Sequence, residues 1–457
     1  MSAQTRTVTA AVNARLKTDG GNNSPADNTT AEGRAENRRV VLRHGGSDWM
    51  RTRAHGSAGC GCVGTAAGAL LLLGAGAAHG QDLQNSTMDV YGYVMLDMGY
   101  QDKQSDPDWF DVLRPTKLPA FKDEFGENGE WFSGVRQSRF GVKTKTPTAL
   151  GDLKTTFEFE LFGTGSDAGQ TTFRLRHAYG ELGHFGAGQT WSPFMDIDVF
   201  PNSLEYWGPT GMVFFRNVQL RWMPIQGDTR LTIALERPGA SADQGNYADR
   251  IELQNINSRF PYPDLSAEYR LATSWGYVEL AGIVRYLKWE DTLQDQFDLT
   301  DSDIGWGANL SSNVKLGNNV LRLQVVYGEG IQNYMNDAPE DVGIRNNFSN
   351  PSRPIVGEVL PILGIVAFLD LNWSEKMTST VGYSMVDIDN SNGQADSAFE
   401  KGEYALANVL FHPAKNVMFG PEIQWGKRHN FRDGFTSDTV RLQFSVKYNF
   451  SQTLGGS

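Results

Sequence analysis

The stretch Thr439-Val440-Arg441-Leu442-Gln443-Phe444-Ser445-Val446-Lys447-Tyr448-Asn449-Phe450 decides the fold class. Val440, Leu442, Phe444, Val446, Tyr448 and Phe450 share one parity, and every residue between them is polar or charged. Side chains of a strand alternate between its two faces, so this is a strand with one apolar and one wet face. Leu153–Phe162 repeats the pattern, setting Leu153, Thr155, Phe157, Phe159 and Leu161 against Lys154, Thr156, Glu158, Glu160 and Phe162.

Working outward, about sixteen such runs follow one another: 88–100, 132–146, 153–163, 171–183, 186–191, 212–223, 229–237, 265–274, 277–289, 303–315, 320–331, 363–373, 377–388, 402–412, 417–429 and 438–450. Short turns at 147–152, 224–228, 316–319, 374–376 and 413–416 alternate with long polar loops at 101–131, 239–264, 290–302, 332–362 and 389–401. Short turns on one side and long loops on the other are the pattern of a transmembrane β-barrel. A secreted sandwich or propeller would put its large apolar residues inside, show no strict alternation of loop length, and in the propeller case repeat every 40–50 residues or so. The expectation is therefore all-β: a transmembrane antiparallel β-barrel of about sixteen strands, with an even number placing both chain ends at the short-turn side.

Composition agrees. The 457 residues carry a formal charge of -12, 40% hydrophobic residues and a mean hydropathy of -0.40. Outside the first 80 residues no apolar run is long enough for a membrane helix, whereas a closed barrel needs only every other residue apolar. The acidic balance argues against nucleic acid, which demands basic stripes.

Both cysteines, Cys60 and Cys62, lie in a segment with the parts of a secretory signal. Arg51, Arg53 and His55 follow Met50, then comes a short apolar core around Leu70–Leu73 and a small-residue stretch ahead of Gln81. Residues 1–49 read as a disordered or non-native upstream extension, 50–80 as the leader with Met50 as initiator, and 81–457 as the barrel. Removing 1–80 takes 9 basic and 5 acidic residues from totals of 41 and 53, leaving a charge of -16 and no cysteine.

No zinc-protease His-Glu pair, phosphate-binding glycine loop or Gly-x-Ser-x-Gly elbow occurs. His177, His184, His412 and His429 have no ligand spacing, and Asp387, Asp389 and Asp396 read as a solvated loop, so no metal, cofactor or enzymatic role is expected. Glu158 and Glu160, sharing a face with Lys154, read as lumen residues. The arginines carry more information. With Phe173, Leu175 and Tyr179 outward, Arg174 and Arg176 point into the lumen; by the same parity Arg139, Lys143 and Arg221 point inward. Arg136 and Arg216 fall on the other parity near loop ends, and their direction stays open.

Residues 191–211, Trp-Ser-Pro-Phe-Met-Asp-Ile-Asp-Val-Phe-Pro-Asn-Ser-Leu-Glu-Tyr-Trp-Gly-Pro-Thr-Gly, are too apolar for a loop in water. They are expected to fold into the barrel, with Asp196, Asp198 and Glu205 facing the arginine wall across a constriction. Opposed rows of charge in a narrow passage focus the field on anionic or dipolar solutes.

These residues resemble a known family, the DcaP-like porins. The likeness is carried by Arg139-Phe140-Gly141-Val142, Phe157–Gly163, Arg174–Gly180, Gly188–Pro193, Asp196–Asp198, Trp207-Gly208-Pro209-Thr210 and Glu236-Arg237-Pro238-Gly239, and it covers about 88–450. The resemblance implies a sixteen-stranded homotrimeric diffusion porin in the lipid of the Gram-negative outer membrane, taking up small organic anions such as dicarboxylates. Arg139, Arg174, Arg176 and Arg221 become the constriction wall. Some members carry a helical extension ahead of the barrel; here only about seven residues separate Gln81 from the first strand, and Ser451–Ser457 forms a tail after the last. Two alternatives stay open: a structural or adhesive surface barrel, and a general, cation-leaning porin.

Overall fold

The computed structural model describes residues 85–455. The expected extension 1–49 and leader 50–80 lie outside the described residues. The first strands are β1 (Thr87–Gln101), β2 (Glu130–Gly134), β3 (Arg139–Thr148), β4 (Gly151–Phe162), β5 (Thr171–Leu182) and β6 (Phe185–Trp191). After a long loop come β7 (Arg216–Ile225), β8 (Arg230–Glu236), β9 (Ile256–Arg259), β10 (Asp264–Thr273), β11 (Gly276–Asp291), β12 (Asp301–Leu316) and β13 (Asn319–Glu329). The hairpin β14 (Val342–Asn346) and β15 (Ile355–Val359) stands apart. Then follow β16 (Pro361–Ser374), β17 (Met377–Ile388), β18 (Phe399–Ala414), β19 (Val417–Asn430) and β20 (Thr436–Gly455).

The wall strands pair antiparallel in chain order, with β2 and β3 both on β1 and β9 on β11 alone, and β1 pairs with β20 from Thr87↔Gly455 to Gln101↔Arg441, so the sheet closes on itself. Closure satisfies every backbone group without an edge, the condition lipid imposes. β2 and β3 both pair with β1 and form one interrupted stave; β9 and β10 form another along β11. The result is a barrel of sixteen staves, and each expected run coincides with one. Two boundaries differ. Residues 212–215 belong to the loop before β7, and Ser451–Gly455, expected as a tail, extend β20 against Thr87–Tyr91.

The alternation is an inverted globule. On β11, Leu280 and Val284 are exposed at 58% and 51%, while Glu279 and Arg285 on either side of them are 1% exposed. The outward side chains have lipid as their solvent, and the inward polar ones must find partners inside. Exposed aromatics ring both ends: Phe185, Trp222, Trp275, Trp373 and Tyr448 at the short-turn end, Tyr100, Trp131, Tyr262, Trp306 and Tyr327 at the long-loop end. Amphipathic rings settle at the headgroup level.

The lumen is partly filled. A cluster inside the wall joins Leu113 and Leu118 of the first loop to Phe194, Met195, Val199, Met212 and Val213 of the loop after β6, packed on Val326, Val366 and Phe368. Apolar burial of this kind holds the loops in place where hydrogen bonds alone would leave them mobile.

Candidate functional site: two arginine groups in the lumen

The loop 192–215 leaves β6 at Trp191 and crosses the lumen at once. Asn309 of β12 donates to the Phe194 carbonyl at 2.9 Å, Asn408 of β18 to the Asn202 carbonyl at 2.8 Å, and the Leu204 amide to Glu422 of β19 at 2.7 Å. The segment thus lines the wall opposite β3–β6 before Tyr206 returns to it.

On β3–β6, Glu160 is fully buried beneath four guanidiniums. Arg176 Nη1 lies 2.7 Å and Arg139 Nη2 3.2 Å from its Oε2; Arg174 and Arg216 each lie 3.8 Å from Oε1. The Tyr206 hydroxyl donates to the same carboxylate. Glu158 accepts from Arg176 Nε at 2.6 Å and from Tyr91 at 2.7 Å. Two carboxylates therefore answer four arginines. Arg139 Nε and Arg216 Nη1 are buried and make no hydrogen bond, while Arg139 and Arg174 keep 23% and 29% of their side chains exposed. Arg176 and Arg216 stack over Trp191 with their guanidinium carbons at 5.3 and 5.0 Å, a cation–π arrangement that orients a charge without neutralising it.

The remaining expected basic residues lie elsewhere. Arg221 faces inward, but it spends its donors on Gln219 and the Trp191 carbonyl and lies 5.1 Å over Tyr179. Lys143 is exposed nearer the turns, 5.0 Å from the Tyr91 ring. Arg136 is buried between Phe162 and Asp111 and donates to the Gly163 and Gln170 carbonyls, so it braces loops outside the wall. Arg216, of open direction from sequence, joins the Glu160 cluster.

Two expectations need correction. Tyr179 points into the lumen, because a bulge opposite Glu158 and Phe159 sends both Arg176 and His177 inward and reverses the parity beyond them. Asp196, Asp198 and Glu205 do not face the arginine wall. Asp196 accepts from Arg270 at 2.6 Å, Tyr277 at 2.7 Å and Ser311 at 2.6 Å. Asp198 accepts from Arg270 at 2.6 Å, with half of its side chain exposed. Both come early in a loop that has already reached the far wall, so the nearest guanidinium is that of Arg270 on β10. Arg270 also holds Glu279 at 2.6 Å, which Arg230 shares at 2.8 Å. Glu205 is buried against backbone amides, accepting from Leu113 at 3.0 Å and from Gly208. Burial pushes its carboxyl up to about 7, against the opposing pull of those amides.

Sequence reading missed Arg270, Tyr206, Tyr91, Tyr93 and Lys447, whose Nζ lies 3.9 Å from the Tyr93 ring. Inward parity marks Arg270 and Lys447, yet parity alone does not say which inward residue meets the loop.

The lumen thus carries a wall with surplus positive charge on β3–β7 and a loop clamped to β10–β12. The model of the DcaP outer membrane protein family matches residues 130–450. Among solved structures, the outer membrane channel DcaP of Acinetobacter baumannii is similar with a TM-score of 0.66 at 20% identity, over 81% of this chain and 99% of that one. The anion-selective porin from Comamonas acidovorans gives 0.52 at 10% identity, over 80% and 100%. Outer-membrane expressed OmpT of Vibrio cholerae gives 0.50 at 12%, over 80% and 98%. At these identities the likeness is one of fold. No curated protein matches the chain.

Proposed function

The chain belongs to the DcaP outer membrane protein family and is an outer-membrane channel, and on that footing we propose that it favours small organic anions, dicarboxylates among them. The observation that carries this reading is the imbalance at Glu160. Arg139, Arg174, Arg176 and Arg216 surround Glu158 and Glu160, and two buried guanidinium nitrogens are left without a hydrogen bond. A guanidinium presents a planar fork that fits a carboxylate, and burial away from bulk water strengthens the attraction. A passing dianion would meet the partly exposed guanidiniums of Arg139 and Arg174, whose charge the two carboxylates only half answer.

Reversal potentials across planar bilayers in a potassium chloride gradient test this. Anion preference is expected for the native channel and a marked loss of it for Arg139→Gln with Arg174→Gln. Cation preference in the native channel would favour the half-exposed Asp198 as the governing charge and overturn the reading. A barrel without stepwise conductance would be a structural protein. Liposome swelling with succinate, aromatic acids and sugars would then define the solute.

A homotrimer is part of the same proposal. Outward phenylalanines are confined to the staves around the closure seam: Phe140, Phe157, Phe159 and Phe173 on β3–β5, Phe185 on β6, and Phe411, Phe419, Phe444 and Phe450 on β18–β20. Phe159 and Phe173 lie 4.9 Å apart, Phe140 and Phe159 5.5 Å, and Phe140 and Phe450 6.3 Å. From β7 to β17 the only strand phenylalanine is Phe368, which is buried inside. Such an aromatic face supports contact between copies. We also place the mature start near Gln81; N-terminal sequencing of the native protein checks it.

A further inference from the structure

The outer face of the barrel carries a groove that solute passage does not use. Near the long-loop end β7 presents Val218 and Leu220 outward, β8 presents Leu235, and Phe260-Pro261-Tyr262-Pro263 leave the sheet between β9 and β10. Neither proline has an amide hydrogen to give to a ladder, so this stave pulls away from its neighbour, and β9 pairs with β11 only. The gap is a cavity of about 450 Å³, lined by these apolar residues together with Gln219, Glu236, Arg237 and Pro238. Gln219 and Glu236 are buried, and the Glu236 carboxylate accepts from Ser192 and Ser266.

Arg237 is the second observation. It stands two residues past Leu235 on the same outward parity and is exposed. Its backbone is fixed, with the amide donating to the Val218 carbonyl at 2.8 Å and the carbonyl accepting from Asn217 at 2.8 Å. Among the described residues no carboxylate pairs with its guanidinium. Next to Phe260, Arg259 and Lys288 share the single carboxylate of Glu290, at 2.8 and 2.7 Å, so this rim carries excess positive charge. Tyr262 packs edge-on against Tyr286 at 5.5 Å, within the aromatic ring of the long-loop end. That ring marks headgroup depth.

We propose that this groove holds one acyl lipid of the outer leaflet by its phosphate. The chain lies along Val218, Leu220, Leu235 and Phe260, and the phosphate sits on Arg237. The surroundings are already lipid, so an apolar groove by itself would take any chain; the unpaired guanidinium at its mouth selects an anionic headgroup, which it binds in bidentate fashion. The groove borders the phenylalanine face at β6, but Phe185 lies at the short-turn end beside Trp222 whereas the groove opens toward the long-loop end, so a neighbouring copy packed on that face would leave it open. It is independent of the anion preference inside the lumen.

The detergent-extracted protein, titrated with dioleoylphosphatidylglycerol, dioleoylphosphatidylcholine or inorganic phosphate, is read by native mass spectrometry. One phosphatidylglycerol per chain is expected, with weaker retention of the zwitterionic lipid. Arg237→Gln should weaken retention about tenfold, Arg237→Lys should restore part of it, and Leu220→Trp, which fills the groove, should abolish it. Single-channel conductance of all three variants should match the native value, which also shows that they fold. Equal retention by native protein and variants would overturn the proposal. So would displacement of the lipid by millimolar inorganic phosphate, or variants that fall apart into single chains, which would make the groove a seat for a second copy.

Discussion

Two arginine groups line the lumen, one on β3–β7 and the other on β8 and β10, and they differ in how their charge is answered. On β3–β7, Arg139, Arg174, Arg176 and Arg216 surround Glu158 and Glu160, so the cations outnumber the anions two to one. On β10 and β8, Arg270 and Arg230 are met by Asp196, Asp198, Glu268 and Glu279, so the anions outnumber the cations by the same ratio. Residue types are identical and burial is similar. The first group keeps excess charge, with Arg139 and Arg174 partly exposed; the second is closed around a loop and acts as its clamp. A charge is available to a solute only where the fold has not already paired it.

Breaking the clamp should have the largest effect. Arg270→Ala leaves Asp196 buried without its cation and Glu279 with Arg230 alone, a loss of about 3–5 kcal/mol. The loop should leave the far wall, raising single-channel conductance and making it noisy, and denaturant unfolding should move to lower concentration. Unchanged conductance would mean that the apolar packing of Phe194, Val199 and Met212 holds the loop without the clamp.

Glu205 sharpens the contrast, because it is an anchor without a paired guanidinium. Its carboxyl is raised from 4.5 to about 7 by burial, so the folded state binds the proton more tightly than the unfolded chain. The stabilisation is complete below about pH 4.5 and is lost as pH rises through 7, amounting to roughly 3 kcal/mol. Unfolding midpoints compared at pH 5 and pH 8 should differ in that direction, and Glu205→Gln should flatten the difference. A native midpoint that rises with pH contradicts the assignment.

Arg139→Gln with Arg174→Gln should change selectivity rather than fold. Both side chains are partly exposed, so solvent screens their contribution to stability. The anion-to-cation permeability ratio is expected to fall about tenfold, which corresponds to about 1.4 kcal/mol. If this pair and Arg270→Ala shift selectivity and stability alike, the two groups do not differ in kind. Smallest is Tyr206→Phe, which removes one hydrogen bond to Glu160 and should cost about 1 kcal/mol in thermal stability.

Much of this was legible in advance. The alternation of Val440–Phe450 sets a two-faced strand, and repetition with alternating loop length sets a closed wall. The apolar character of 191–211 predicts a loop inside the barrel, where it is found. Parity also aims Arg139, Arg174 and Arg176 inward. It fails at Tyr179, where one bulge reverses the faces, and at Arg216, where the strand end turns a nominally outward residue into the lumen. Ser451–Gly455 looked like a tail because the alternation fades, yet β1 offers them backbone partners. The pairing of Asp196 and Asp198 was not legible at all.

A barrel, its number of staves and the loop that enters it can be read from residue order, because they follow from which residues tolerate lipid and which tolerate water, a local property with a period of two. Which arginine meets which carboxylate comes from the closed fold. That depends on where a loop of fixed length lands on a closed wall whose register and bulges shift each inward row. Charges tens of residues apart in sequence become neighbours at 2.6 Å, as Arg270 and Asp196 do, and their pairing leaves Arg139 and Arg174 partly exposed to the lumen.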